Sequence, residues 1–145
     1  MQENQDMVGE LIKEAFVAQQ KAYTPYSHFR VGAALLAADG RIYHGCNIEN
    51  AAYSPTNCAE RTAFFKAVSE GNTNFVAIAI VGNAEGVVKG QGEICAPCGV
   101  CRQVMAEFCD ADSFKIILGV DEEHYEEYLL KELLPLGFVK ERLEY

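Results

Sequence analysis

Asn57-Cys58-Ala59-Glu60-Arg61 and, further along, Pro97-Cys98-Gly99-Val100-Cys101 are the stretches from which the rest of the chain can be read. Each sets a cysteine at the start of a segment with helical spacing: Cys58 to Glu70, stopped by Gly71, and Cys98 to Cys109. Two helices that open on cysteine bring sulfur to helix N-termini, where free N–H groups and partial positive charge favour the thiolate. Pro97 suits the first helical turn, where a missing N–H costs nothing. Cys98 and Cys101, three residues apart, face one direction. Cys58, Cys98 and Cys101 together supply three thiolates for a zinc ion and leave a fourth tetrahedral position open to water, the construction of a catalytic rather than a structural site. Glu60 stands two residues past Cys58, too close to be a comfortable ligand of the same ion. It is well placed to exchange protons beside it.

The remaining segments alternate in type. Asp6 to Ala22 has the spacing of an amphipathic helix, with Val8, Leu11, Ala15, Phe16, Gln19 and Ala22 near one face. Tyr23-Thr24-Pro25-Tyr26-Ser27 breaks it. Val31 to Ala37 and Arg41 to Cys46 read as strands joined at the Asp39-Gly40 turn, followed by an irregular polar loop from Asn47 to Thr56. Asn74 to Gly82 is a β-branched run and hence a buried strand. Asn83 to Glu93, rich in glycine, reads as a mobile loop. Phe114 to Val120 is another strand, and Glu122 to Leu134 reads as a last long helix ended by Pro135-Leu136-Gly137. The alternation predicts one three-layer α/β/α domain over residues 1–145 with a mixed central sheet.

The chain has 145 residues, enough for a real core, and half of them are hydrophobic, so neither disorder nor a fibrous structure is expected. No apolar run reaches membrane-spanning length. The polar opening Met1-Gln2-Glu3-Asn4-Gln5-Asp6 lacks the basic-then-apolar order of a signal peptide. A cytoplasmic protein with six reduced or metal-bound cysteines is the expectation. The formal net charge is −9, and Asp121 to Tyr145 alone carries eight acids against three bases. Such a surface repels a polynucleotide, because phosphate contacts supply most non-specific affinity. Any nucleic-acid-related substrate should be small.

The cysteines admit other readings. Cys95-Ala96-Pro97-Cys98-Gly99-Val100-Cys101 has a spacing found in iron–sulfur sites. Cys-Gly-Val-Cys opening a helix suits a redox dithiol. Cys58, Cys95, Cys98 and Cys101 together would make a closed structural zinc site. Glu60 tips the balance toward catalysis, leaving Cys46, Cys95 and Cys109 as small buried hydrophobes. None of His28, His44 and His124, in turn, strand and helix settings, is needed as a ligand. Arg61 beside Cys58 can hydrogen-bond a thiolate and drain some of its electron density. Asn47 and Glu49, two apart on an extended segment, point to one side and suit the hydroxyls of a sugar. Phe29 follows a turn and can stack on a base.

On these residues the chain resembles a known family. Tyr26-Ser27-His28-Phe29-Arg30-Val31-Gly32-Ala33-Ala34-Leu35, Gly45-Cys46-Asn47-Ile48-Glu49-Asn50-Ala51-Ala52-Tyr53-Ser54, Cys58-Ala59-Glu60-Arg61-Thr62-Ala63, Pro97-Cys98-Gly99-Val100-Cys101-Arg102-Gln103 and Glu132-Leu133-Leu134-Pro135 are similar, in order, to the small homotetrameric cytidine deaminases. The resemblance implies one zinc per chain on Cys58, Cys98 and Cys101, with Glu60 as the proton shuttle. It implies that Asn47 and Glu49 hold the ribose 3′-hydroxyl, that Phe29 stacks on the pyrimidine and that the Ala59 backbone reads the base edge. Ala51, Tyr53 and Phe138 would reach a neighbouring subunit's site, although Leu136-Gly137 departs from the pair the family usually carries before its last aromatic. The implied reaction is hydrolysis of cytidine and 2′-deoxycytidine to uridine and 2′-deoxyuridine with loss of ammonia, in pyrimidine salvage. A blasticidin-type deaminase fits the same metal site less well, since an apolar residue follows the glutamate there. From another class, a structural zinc or iron–sulfur module that binds a protein partner is the alternative.

Overall fold

The structure is a computed structural model that describes residues 2–143. Helix α1 (Gln2–Gln19) leads into the hairpin β1 (Phe29–Ala37) and β2 (Ile42–Cys46). Then come α2 (Ala59–Ser69), β3 (Phe75–Ala84), α3 (Gly99–Phe108), β4 (Lys115–Gly119), β5 (Tyr125–Leu129) and α4 (Leu130–Leu133). The strands form one sheet in the order β2-β1-β3-β4-β5, antiparallel except for the parallel pair β3–β4. Strand β1 lies between β2 and β3 and runs against both, so β2 and β3 point the same way. Their following helices, α2 and α3, therefore begin at the same end of the sheet. Phe29, the first residue of β1, lies at that end too, since it pairs with Ala84 at the end of β3. Topology alone thus gathers both cysteine motifs and Phe29 at one edge, the carboxyl ends where open α/β sheets place their ligands.

The two faces of the sheet are covered differently. Val8, Leu11, Ile12 and Ala15 of α1 bury against Ala34, Ala77, Ala79, Val81 and Ile117. On the opposite face Ala59, Ala63, Phe64 and Ala67 of α2 and Cys101 and Met105 of α3 pack on Leu35, Ile78, Ile80, Ile116 and Leu118. Phe64 anchors that layer, edge-on to Phe75 at 5.1 Å between ring centroids. Two glycines set how closely the helices approach. A Cβ on Gly32 would lie 2.0 Å from the Ala15 carbonyl oxygen, and one on Gly45 would lie 2.1 Å from the Ala59 oxygen and 2.6 Å from the Ala63 nitrogen. Backbone rests on backbone at both places. At Gly45 this fixes the turn of α2 that carries Glu60.

Three expectations are corrected. Glu122 to Leu134 is not one long helix: it is a turn, then β5, then the single turn of α4. Asp121 Oδ1 accepts from the backbone N–H groups of Glu123 and His124, both at 2.8 Å, and so closes a hairpin where helix propensity predicted a first turn. His124 consequently lies in a turn. The open edge of β4 then takes up Tyr125–Leu129 as a partner, and pairing overrides the helical preference of the glutamates. The 83–93 segment is tied down rather than loose. Strand β3 continues to Ala84, and Lys89 ion-pairs with Glu122 while its ammonium lies 4.7 Å from the centre of the Phe16 ring. Helix α1 begins earlier than predicted and ends at Gln19, not Ala22.

Replacing Gly45 with Ala should force α2 off the sheet and cost about 1–3 kcal/mol, as overpacking does. Gly99→Ala, where a Cβ meets nothing within 4 Å, should stay within about 1 kcal/mol of wild type. Urea unfolding at matched protein concentration checks both, and equal stabilities would contradict the close contact.

Candidate active site

Cys58 occupies the N-cap of α2 with extended backbone (φ −78°, ψ 155°), and Cys98 occupies the N-cap of α3 (φ −69°, ψ 168°). The Cys98 sulfur accepts from the Cys101 N–H at 3.4 Å, doing what a serine or aspartate does at an ordinary cap. Pro97 stands one residue ahead of this cap rather than in the first turn, and Arg102 Nε donates to its carbonyl at 2.8 Å. The Cys58 and Cys98 sulfurs are 3.8 Å apart, Cys98 and Cys101 are 3.3 Å apart, and all three lie within 4.8 Å of one another. Tetrahedral zinc with bonds of roughly 2.3 Å needs sulfurs about 3.8 Å apart. The donor set and its spacing therefore fit zinc.

Crowded sulfur raises an electrostatic difficulty, and the neighbours answer it. Arg61 Nη2 donates to the Cys58 sulfur at 3.1 Å. Hydrogen bonding from Cys101 and then from Arg61 holds the Cys58 thiol down to about 5, against burial. Thr62 Oγ1 donates to the Cys58 carbonyl at 3.1 Å and steadies the first turn of α2. Glu60 is only 5% exposed, the one charged side chain in the core among the described residues. Burial first, and the nearby Cys58 sulfur after it, push its carboxyl up to about 7. A carboxyl poised there can both take and give a proton at neutral pH.

The other cysteines stay outside this group. Cys95 packs over Gly82, where a Cβ would lie 2.8 Å from the Cys95 sulfur and 3.0 Å from Phe29 Cε1. Cys95 and Phe29 thus meet above a residue with no side chain, and burial raises the Cys95 thiol to about 11. Cys46 and Cys109 are half-buried rather than fully enclosed, and burial raises both thiols. His44 bonds Glu14 at 2.7 Å, His28 lies 3.4 Å from Glu85, and His124 pairs with Asp121 at 2.9 Å.

Asn47 and Glu49 both lean on the segment 26–31. Asn47 Oδ1 accepts from the Val31 N–H and its Nδ2 donates to the Phe29 carbonyl, each at 2.9 Å. Glu49 Oε1 accepts from the N–H groups of Tyr26 (3.0 Å) and Ser27 (3.1 Å), and the Ser27 hydroxyl donates to Oε2. These bonds, the Ser27 hydroxyl foremost, lower the Glu49 carboxyl below its ordinary range. The loop that carries both residues is stapled: Ile48 and Asn57 exchange two backbone bonds of 3.0 Å, and Glu49 N–H donates to the Tyr23 carbonyl at 2.9 Å. Ala59 is fully buried at the start of α2. Ala51 and Tyr53 stand in an exposed loop, with Tyr53 86% exposed and Phe138 62% exposed.

Several supporting residues escaped the sequence reading. Arg102 Nη1 donates to the Leu133 carbonyl at 2.7 Å, so one guanidinium ties the turn before Cys98 to the end of α4. Gln103 Nε2 donates to the Phe138 carbonyl at 2.7 Å. Both are long-range side-chain-to-backbone bonds and leave no local pattern in the sequence.

A buried carboxylate beside three converging thiols, two of them at helix N-caps, is the arrangement of the zinc-dependent base deaminases. Residues 6–117 match the family model described as the cytidine and deoxycytidylate deaminase zinc-binding region. The chain is 56% identical over 138 residues to a cytidine deaminase of Sporosarcina psychrophila, covering 95% of this chain and 96% of that one. It is 53% identical over 131 residues to that of Halalkalibacterium halodurans, covering 90% and 93%. Among solved structures, the cytidine deaminase of Burkholderia pseudomallei superposes with a TM-score of 0.78 at 44% identity, over 89% of this chain and 97% of that one. The chain belongs to the zinc-binding cytidine and deoxycytidylate deaminase family.

If three thiols suffice, Cys95→Ser should retain about one zinc per chain on elemental analysis and Cys98→Ser should lose it. Zinc lost from both variants would instead indicate a closed four-cysteine site.

Proposed function

We propose that this chain deaminates cytidine and 2′-deoxycytidine hydrolytically, with Cys58, Cys98 and Cys101 holding one zinc ion and Glu60 moving the protons. The observation that carries this reading is the buried Glu60 carboxyl beside three sulfurs spaced for zinc. When bound, zinc supplies Lewis acidity, lowering the pKa of water toward neutrality. Glu60 takes a proton from the attacking water and returns it to ring N3, then takes the remaining proton of the hydroxyl added at C4 and delivers it to the departing C4 amine. The water oxygen becomes the C4 carbonyl of uridine, and ammonia leaves. A glutamate near neutrality suits this two-way traffic. Arg61 draws electron density from Cys58 and so offsets the surplus charge of a three-thiolate site.

Phe29 stacks on the pyrimidine, backed by Cys95 across Gly82, and the Ala59 backbone at the unpaired first turn of α2 reads the base edge. The sugar assignment is supported by an inventory of donors and acceptors. Asn47 Nδ2 has given one of its two protons to the Phe29 carbonyl and keeps the other. Glu49 Oε1 carries two hydrogen bonds and Oε2 one, which leaves Oε2 able to accept another. One free donor and one free acceptor match a hydroxyl, which accepts from the amide and donates to the carboxylate. A phosphate ester at that oxygen has no proton to give and would face Glu49 as an anion, so nucleosides rather than polynucleotides are the substrates.

The exposure of Tyr53 and Phe138 supports a homotetramer in which Ala51, Tyr53 and Phe138 reach a neighbouring subunit's site. Residues 1–145 work as one domain. The six free cysteines suit a reducing cytoplasm and a place in pyrimidine salvage. No helix among the described residues is long and apolar enough to cross a membrane.

Glu60→Gln keeps the side chain's size and removes the shuttle, so turnover of cytidine should fall about 10²- to 10⁴-fold with zinc content unchanged. Near-normal ammonia release from that variant would remove Glu60 from its role. In sedimentation at assay concentration the active species should run as a tetramer. A fully active monomer would contradict the shared sites.

A further inference from the structure

Ser27 stands outside the machinery assigned so far, yet its hydroxyl touches the residues that address opposite ends of the nucleoside. We infer that Ser27 is a positioning residue that governs sugar recognition by fixing the plane of the Glu49 carboxylate, and with it the direction in which Oε2 offers its remaining lone pair to the substrate. This inference rests on the reading of Asn47 and Glu49 as the sugar-binding pair.

A hydroxyl has one proton and two lone pairs. Two acceptors lie near the Ser27 proton: Glu49 Oε2 in close contact, and the Phe29 carbonyl at 3.5 Å. The carboxylate wins, because a charge-assisted bond is shorter and stronger, and 3.5 Å is at the weak limit for the carbonyl. With its proton committed to Glu49, the Ser27 oxygen turns a lone pair to the Phe29 N–H, which donates to it at 3.0 Å. One side chain therefore links the carboxylate proposed for the sugar to the residue proposed for the ring.

The two backbone donors, Tyr26 and Ser27, converge on Oε1 alone. They would hold that oxygen and leave the carboxylate free to pivot about it. Ser27 Oγ restrains the other oxygen and so sets the carboxylate plane. The turn is built for this. His28 has a left-handed backbone (φ 56°), which lets residues 26 and 27 aim three donors at one carboxylate before Phe29 enters β1. The Glu85 N–H closes the turn on the His28 carbonyl at 2.8 Å. Ser27, Glu49, Asn50 and Tyr53 line a cavity of about 360 Å³ beside it.

The test compares kcat/KM for cytidine and 3′-deoxycytidine in the wild type, Ser27→Ala and Ser27→Thr, with zinc content measured in each. The wild type should prefer cytidine by at least about tenfold, the scale of a hydrogen bond to a charged group. Ser27→Ala should retain zinc and lose most of that preference through poorer use of cytidine. Ser27→Thr keeps the hydroxyl and should restore it. An alanine variant that loses activity on both nucleosides equally and keeps the wild-type preference would overturn the inference, because the loss would then be general. If the wild type itself fails to distinguish the two nucleosides, the sugar-binding reading falls and this inference with it, an outcome visible without any variant. Should Ser27→Ala fail to fold, Ser27→Cys, with a weak donor of similar size, carries the same comparison.

Discussion

Three sulfurs held within 4.8 Å of one another repel as thiolates, and the rest of the molecule is arranged to make that proximity tolerable. Two of them stand at helix N-caps, where partial positive charge gathers, and one of these, Cys98, accepts a backbone N–H. Arg61 faces one of them directly. A dication completes the compensation, which is why the cluster reads as a metal site rather than a redox pair. The helices meet there because β2 and β3 run in the same direction on either side of β1. The close approach of α2 to the sheet rests on Gly45, where helix and strand lie backbone to backbone.

From that end of the sheet the remaining functions follow by proximity. Phe29 begins β1 beside the last residues of β3, at the end of the sheet where α2 and α3 start. Asn47 follows the last residue of β2, and its loop is stapled to Tyr23 and Asn57. Glu60 lies in the first turn of α2, buried enough to be held near neutrality. The chemistry is shared between a rigid floor of strand and helix ends and a rim of loops closed by backbone bonds. Arg102 extends this coupling to the carboxyl-terminal segment through Pro97 and Leu133.

How far the sequence could be read depended on whether a signal was local. Cys58, Glu60, Cys98 and Cys101 were legible because ligand spacing and helix starts lie within a few residues of each other. The strand bounds around Ile78 and Ile116 were legible because β-branched runs flanked by turns have few alternatives. Tyr125–Leu129 was not: Glu122, Glu123, Glu126 and Glu127 favour a helix locally, and only the Asp121 turn and the open edge of β4 make a hairpin of the segment. The 83–93 segment was also misread, since its glycines suggested freedom while Lys89 finds Glu122 and Phe16 through space. The contacts of Ser27 could not be read either, because its partners meet only when the loop after β2 folds back on the turn before β1.

Zinc K-edge X-ray absorption of the purified protein bears most directly on this account, because it counts the ligands without altering any residue. Three sulfurs and one lighter ligand per zinc are predicted, which is the open site that hydrolysis requires. A shell of four sulfurs would mean that Cys95 or another thiol closes the site, and the catalytic reading of the cluster would be wrong.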